Sequence, residues 1–144
     1  MIERLTAFFT LAKRFEGCRL TPYYCPSGVL TSGWGSTGHD VILGQPWTQA
    51  YADQRLDHDA IKFATGTLAA CPGLATEPDR RLSAVVDFAY NLGLGRLRGS
   101  TLRRRINAGA WDQVGTELRK WVRGGGRVLP GLVARREAEA ALLV

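Results

Sequence analysis

Glu16, Cys25 and Thr31 stand in order, with eight residues between the first two and five between the second two. Glu16 falls in the last turn of an expected helix that Gly17 stops. A carboxyl there meets the negative end of the helix dipole, and Phe15 beside it would shield it from water. Both effects favour the protonated form that a general acid needs. The helix end would then face a hairpin that carries Cys25 before its turn and Thr31 after it. The other chemistry-bearing residue types are sparse. His39 and His58 are too few and too scattered for a metal centre. Cys18, Cys25 and Cys71 lack the Cys-x-x-Cys spacing of a zinc site and do not form a disulfide framework. No metal and no cofactor are expected.

The elements that must hold these residues can be read from periodicity. Ile2, Leu5, Phe8, Phe9, Ala12 and Phe15 recur every three or four residues, which predicts a helix with one apolar face. Residues 18–40 hold Pro22, Pro26, Gly28, Gly33, Gly35 and Gly38. These exclude a helix and predict a small antiparallel sheet of two or three strands around Pro26-Ser27-Gly28. Thr48 is placed to cap a helix to about Ala64, with Gly66 ending it. Arg80–Asn91 predicts a buried central helix ending at Gly93. Ser100 is placed to cap Thr101–Ala108. Further helices are expected over Trp111–Trp121 and Leu132–Leu143, with Gly124-Gly125-Gly126 breaking the chain between them. The fold class is α+β: mostly helical, with the sheet in an N-terminal lobe (about 1–64) and a helical C-terminal lobe (about 65–144). The 144 residues suit one domain.

Composition narrows the function classes. Hydrophobic residues make up 45% and charged residues 22%, as in ordinary globular proteins. No run of about 18 apolar residues offers a membrane span, and the N-terminus lacks signal-peptide character. Net charge is +6, and residues 96–144 hold eleven basic side chains against four acidic. That basic third suits an anionic partner. Without zinc spacing or an RNA-recognition motif, nucleic acid is not expected, and a basic face serves an anionic cell envelope equally well.

The spacing from Glu16 to Thr31, opened by Phe15-Glu16-Gly17 and closed by Thr31-Ser32-Gly33-Trp34-Gly35, resembles the signature of phage-type lysozymes, glycoside hydrolase family 24. Further stretches are similar in the family's order: Gly44–Ala50, Phe88–Gly93, Ser100-Thr101-Leu102, Asn107-Ala108-Gly109, Trp121, Gly131-Leu132 and Arg135–Glu139. The resemblance implies a lysozyme-like fold and an endolysin. Such an enzyme is a muramidase that cuts the β-1,4 bond between N-acetylmuramic acid and N-acetylglucosamine in peptidoglycan and lyses the host at the end of a phage cycle. It implies that Glu16 protonates the glycosidic oxygen and that Thr31 helps place the attacking water. Position 25 would activate that water or stabilise the transition state. The family more often has Asp there. A thiol with the reference value of ~8.5 is mostly neutral at pH 7, so roles as base, nucleophile or water positioner all stay open to Cys25. A wall-binding protein that has lost catalysis is the competing reading, and Cys25 is its only support.

The resemblance also places Asn91 in the substrate cleft and brings a C-terminal arginine, Arg135 or Arg136, to the catalytic region. Ser36 stands where the family often has a His with a structural polar contact. Cys71 is expected to be free, with Cys18 its possible partner. The implied setting is a monomer in a Gram-negative host, with peptidoglycan as partner and no stable membrane insertion. It would wait in the host cytoplasm for a holin and then act on the wall from the periplasm.

Overall fold

A computed structural model describes residues 1–144. A short 3-10 turn, Ile2–Leu5, leads into α1, Thr6–Glu16. Gly17 ends α1 with φ 66° and ψ 178°, and its N–H still donates to the Lys13 carbonyl. The positive φ suits glycine, but ψ is extended rather than left-handed helical, so the chain turns straight into a strand. That strand, β1 (Arg19–Tyr24), pairs antiparallel with β2 (Leu30–Gly33), and Tyr23 lies opposite Thr31. A single bridge between Ser32 and Ser36 curls the chain beyond β2 back on itself.

The long helix α2, Gln49–Ala70, starts as expected: the Thr48 hydroxyl accepts from the Tyr51 N–H at 3.1 Å. It does not stop at Gly66. A Cβ at Gly66 would lie 2.5 Å from a Leu94 methyl, so this glycine lets another element pack closely against an unbroken helix. Cys71-Pro72-Gly73 is no open loop. Pro72 begins a 3-10 turn that runs to Thr76. The central helix α3, Asp79–Leu92, is buried on all sides from Leu82 to Ala89. The core gathers around it, with Phe8 from α1, Leu56 from α2 and Phe88 from α3 itself. Its buried polar groups are partnered: the Ser83 hydroxyl donates to the Arg4 carbonyl, and Asp87 accepts from Arg135.

The helices α4 (Leu94–Arg98), α5 (Thr101–Asn107), α6 (Trp111–Leu118) and α7 (Pro130–Ala141) complete the fold. Ser100 caps α5 as expected, accepting from the Arg103 N–H at 3.0 Å. The short α4 was not foreseen. α6 stops before Trp121, whose ring packs edge-on against Phe88. The glycine run does more than break the chain. Gly125 and Gly126, at φ 59° and 79°, form the two-residue loop of a hairpin between β3 (Arg123–Gly124) and β4 (Arg127–Val128). Pro130 then opens α7 two residues earlier than expected. Mostly helical with two small antiparallel sheets, the molecule is of the expected fold class. No helix is long and apolar enough to cross a membrane.

Candidate active site

The end of α1 delivers Glu16, whose side chain keeps 21% of its surface exposed. Its Oε2 accepts a 2.5 Å hydrogen bond from Arg135 Nη1 of α7, across 119 residues of chain. Its Oε1 lies against Gly35. A Cβ there would stand 2.7 Å from Oε1, and φ is +93°, so only glycine fits. Tyr90 holds the neighbouring backbone: its hydroxyl donates to the Trp34 carbonyl at 2.8 Å.

Arg135 is 4% exposed, and its other two nitrogens, Nε and Nη2, each donate to Asp87 of α3 at 2.8 Å. The fork matches a carboxylate, so one guanidinium ties three helices together. Burial works against its charge, yet the bonds to Asp87 and the charge of Glu16 hold Arg135 more firmly protonated than an ordinary arginine. Of the two C-terminal candidates, Arg135 therefore reaches Glu16. Arg136 turns inward to Glu139 and Asn91. Asp87 went unnoticed in the sequence because it sits within the apolar stripe of a buried helix. Its signal was the polarity itself, since an acid in an all-buried helix demands a partner.

The hairpin presents the other two residues. Cys25 is half-buried beside the turn, with its Sγ 2.9 Å from the Ser27 hydroxyl. Burial raises the thiol. Hydrogen bonds from the Ser27 hydroxyl and from the Val29 and Ser27 N–H groups outweigh it, so the thiol ionises more easily than an ordinary cysteine. Thr31 is buried and donates to the Val29 carbonyl at 2.9 Å, which fixes its rotamer and leaves its oxygen free to accept. Tyr23, missed in the sequence reading, lies opposite Thr31. Burial first, then the nearby Glu16, raise its phenol, and Arg19 stacks on its ring at 4.3 Å. Its position two residues before Cys25 on an alternating strand was the available signal.

Asn91 is half-buried, and its amide oxygen accepts from Arg136 Nη2 at 2.7 Å, leaving the NH₂ for other partners. Ser36 is buried and donates to Asp59 at 2.6 Å. Arg55 pairs with that same Asp59 and also with Asp40. Arg55 thus supplies the positive partner of Asp59 while Ser36 adds only a hydroxyl. All three cysteines are free, with Cys71 buried and Cys18 beside Gln49. No group of His, Cys, Asp and Glu is arranged to hold a metal ion.

Comparison with known proteins matches this geometry to one family. The pattern that defines phage lysozymes fits residues 13–139. The SAR-endolysin of Bacteriophage PS119 is 38% identical over 125 residues, which are 86% of this chain and 73% of that protein. The endolysin of Bacillus phage B103 is 36% identical over 140 residues, and the match spans 96% of this chain but about half, 52%, of that protein. The crystal structure of the active form of P1 phage endolysin Lyz superposes with a TM-score of 0.82 at 29% identity, covering 96% of this chain and 83% of that one. An acid at a helix end backed by a buried arginine, followed in the chain by a hairpin that carries a thiol and a threonine, thus belongs to a member of the phage lysozyme family.

Proposed function

We propose that Glu16, Cys25 and Thr31 hydrolyse the β-1,4 bond between N-acetylmuramic acid and N-acetylglucosamine, as acid, base and water holder. The reaction class comes with the family: the chain is a lysozyme-type glycoside hydrolase, a phage muramidase that lyses the host cell wall. In the reading proposed here, Glu16 passes its proton to the glycosidic oxygen as the bond from that oxygen to the sugar's anomeric carbon breaks. A water held by Thr31 gives its oxygen to that carbon and its proton to the Cys25 thiolate. Exchange with solvent restores both groups. The observation that carries the reading is the thiol itself. Donors from Ser27 and Val29 favour the thiolate, which lets a cysteine stand where a carboxylate is commoner.

Asn91 offers its remaining amide donor to the sugar. Residues 1–144 act as one catalytic domain, with the hairpin residues in a lobe of about 1–64 and Arg135 in a lobe of about 65–144. The same reading extends to a Gram-negative host, a monomer, and a holin that releases the protein from the cytoplasm to the periplasm. Timed expression with and without a holin tests that last part: lysis that needs no holin rejects it.

The decisive experiment on the site is Glu16→Gln, which should fold normally and lose at least ~10²-fold in lytic rate, the usual scale for general acid catalysis. Wild-type lysis by a folded Glu16→Gln removes the assignment. Trapping a glycosyl adduct on the Cys25 sulfur, seen by mass spectrometry, would make that thiol the nucleophile in place of the base.

A further inference from the structure

Behind Arg135 lies a charged cluster that the proposed reaction does not use. Asp87 and Asn91 are four apart on α3 and face Arg135, Arg136 and Glu139 on α7. The side chains of Asp87, Arg136 and Glu139 are fully buried, and that of Arg135 nearly so. With Glu16 at its outer end, the cluster holds three carboxyls against two guanidiniums. It is neutral only when it carries one proton, and buried charge that is not balanced is costly.

The contacts say where that proton sits. Both Asp87 oxygens are already engaged as acceptors, one guanidinium bond from Arg135 to each. Glu139 Oε1 accepts from Arg136 Nη2 at 2.7 Å, but its Oε2 is buried with no donor. Besides Arg136, the polar neighbour of Glu139 is the Asp87 carboxylate, and two carboxyl groups can share a bond only if one is protonated. Burial first, then Asp87, push the Glu139 carboxyl well above the usual range. The charged groups facing Glu139 are Asp87 from α3, Arg136 on its own helix and, through Arg135, Glu16 from α1. The Arg119–Glu137 pair that joins α6 to α7 is exposed.

We infer that Glu139 is a positioning residue for the acid: its carboxyl proton, given to Asp87, fixes the carboxylate on which Arg135, and through it Glu16, is seated. With Asp87 pinned from behind, Arg135 has one orientation and one nitrogen left over, Nη1, which donates to Glu16 Oε2. Without the proton, two buried acceptors face each other, α7 shifts from α3, and the fork tilts under Glu16. The inference rests on the role of Glu16 given above.

Two variants and one titration test it. Glu139→Gln keeps an acceptor for Arg136 and a donor for Asp87. It should retain kcat within about threefold, with an unmoved alkaline limb of the pH–rate profile, a change far smaller than misplacement of the acid would cause. Glu139→Leu fills the space but cannot donate. Its kcat should fall about 10- to 100-fold at unchanged KM, the scale of a small misplacement at the reacting group, and its alkaline limb should move. The carbon-13 carboxyl signal of Glu139 in the wild-type protein, assigned by its loss in Glu139→Gln, should report a protonated group at pH 7. An ionised Glu139 at pH 7, or a folded Glu139→Leu with wild-type kcat and limb, overturns the inference. Should Glu139→Leu fail to fold, the carboxyl titration decides alone. Glu16→Gln measured in parallel separates the two levels. Full lysis there overturns the assignment of Glu16, while an inactive Glu16→Gln beside a fully active Glu139→Leu overturns only the positioning role.

Discussion

The two sides of the site are built on opposite principles. On the hairpin side, Cys25, Ser27, Val29 and Thr31 contact one another within seven residues of chain, at a turn that is largely open to water. On the helical side, Glu16, Arg135, Asp87 and Glu139 join α1, α3 and α7 across separations of 48 and 119 residues, and three of the four are buried. A local, wet arrangement is easily tuned, because water can replace any lost partner. A long-range, dry arrangement is all or nothing, because a removed partner leaves a charge stranded. The reacting groups can therefore vary on the hairpin, while the buried clamp sets where the acid points.

The sharpest break of this contrast is Asp87→Ala. Arg135 would stay buried with Glu16 as its only counter-charge, and its Nε and Nη2 would lose their acceptor. A loss of about 3–5 kcal/mol of stability is expected, as for other broken buried pairs, with lytic activity falling alongside. Asp87→Asn keeps one acceptor and should lose less. Urea denaturation measures both, and wild-type stability in Asp87→Ala would show that the clamp is no more demanding than the hairpin.

The contrast also decides what could be read from sequence. Glu16, Cys25 and Thr31 could be singled out because the resemblance that names them is carried by a local spacing, with a helix stop and a turn between them. The caps at Thr48 and Ser100 were found for the same reason. The Arg135–Asp87 contact had no local trace. Chain closure over 48 residues leaves no periodicity, and Asp87 falls within a run of buried apolar positions. Glycine misled twice, because its lack of a Cβ has several uses. Gly66 makes room for Leu94 inside a helix, and Gly125-Gly126 makes a hairpin where only a break was expected.

Next in size is Cys25. If the thiolate is the base, Cys25→Ser should lose about 10²-fold, since a hydroxyl does not ionise near neutral pH. Cys25→Asp should keep activity. Activity of the wild type should rise with pH along a limb set by the thiol. Because the Cys25 thiol lies below the ordinary cysteine value, that limb should end at a lower pH than a free cysteine would give. The Asp variant should have reached its plateau at still lower pH. A Cys25→Ala protein with full activity and an unchanged profile would reduce Cys25 to packing.

On the buried side, pH should act on stability. Glu139 holds its proton in the folded state at pH values where an unfolded glutamate, at ~4.3, has lost it. The folded state thus binds more protons, and stability falls as pH rises from the ordinary carboxyl range toward the raised folded value. One proton gives at most ~1.4 kcal/mol per pH unit. Calorimetric melting between pH 5 and 8 should show a steeper fall for wild type than for Glu139→Gln, and parallel slopes would remove Glu139 from the account.

The smallest effect belongs to Ser27, and its smallness is the point of the comparison. Its hydroxyl lies 2.9 Å from the Cys25 sulfur, and among the groups favouring the thiolate it acts most strongly. Yet Ser27 is exposed, so Ser27→Ala lets water take the vacated position. The thiol should then ionise less readily, and the ascending limb of the pH–rate profile should move to higher pH. At pH 7 the lytic rate should fall only about two- to fivefold, the worth of one hydrogen bond made in competition with water. Stability should stay at the wild-type value, because no buried group loses a partner. A pH–rate series on Ser27→Ala checks this. A loss as large as that of Cys25→Ser would mean that the hairpin excludes water as the clamp does, and the two sides would no longer differ in kind.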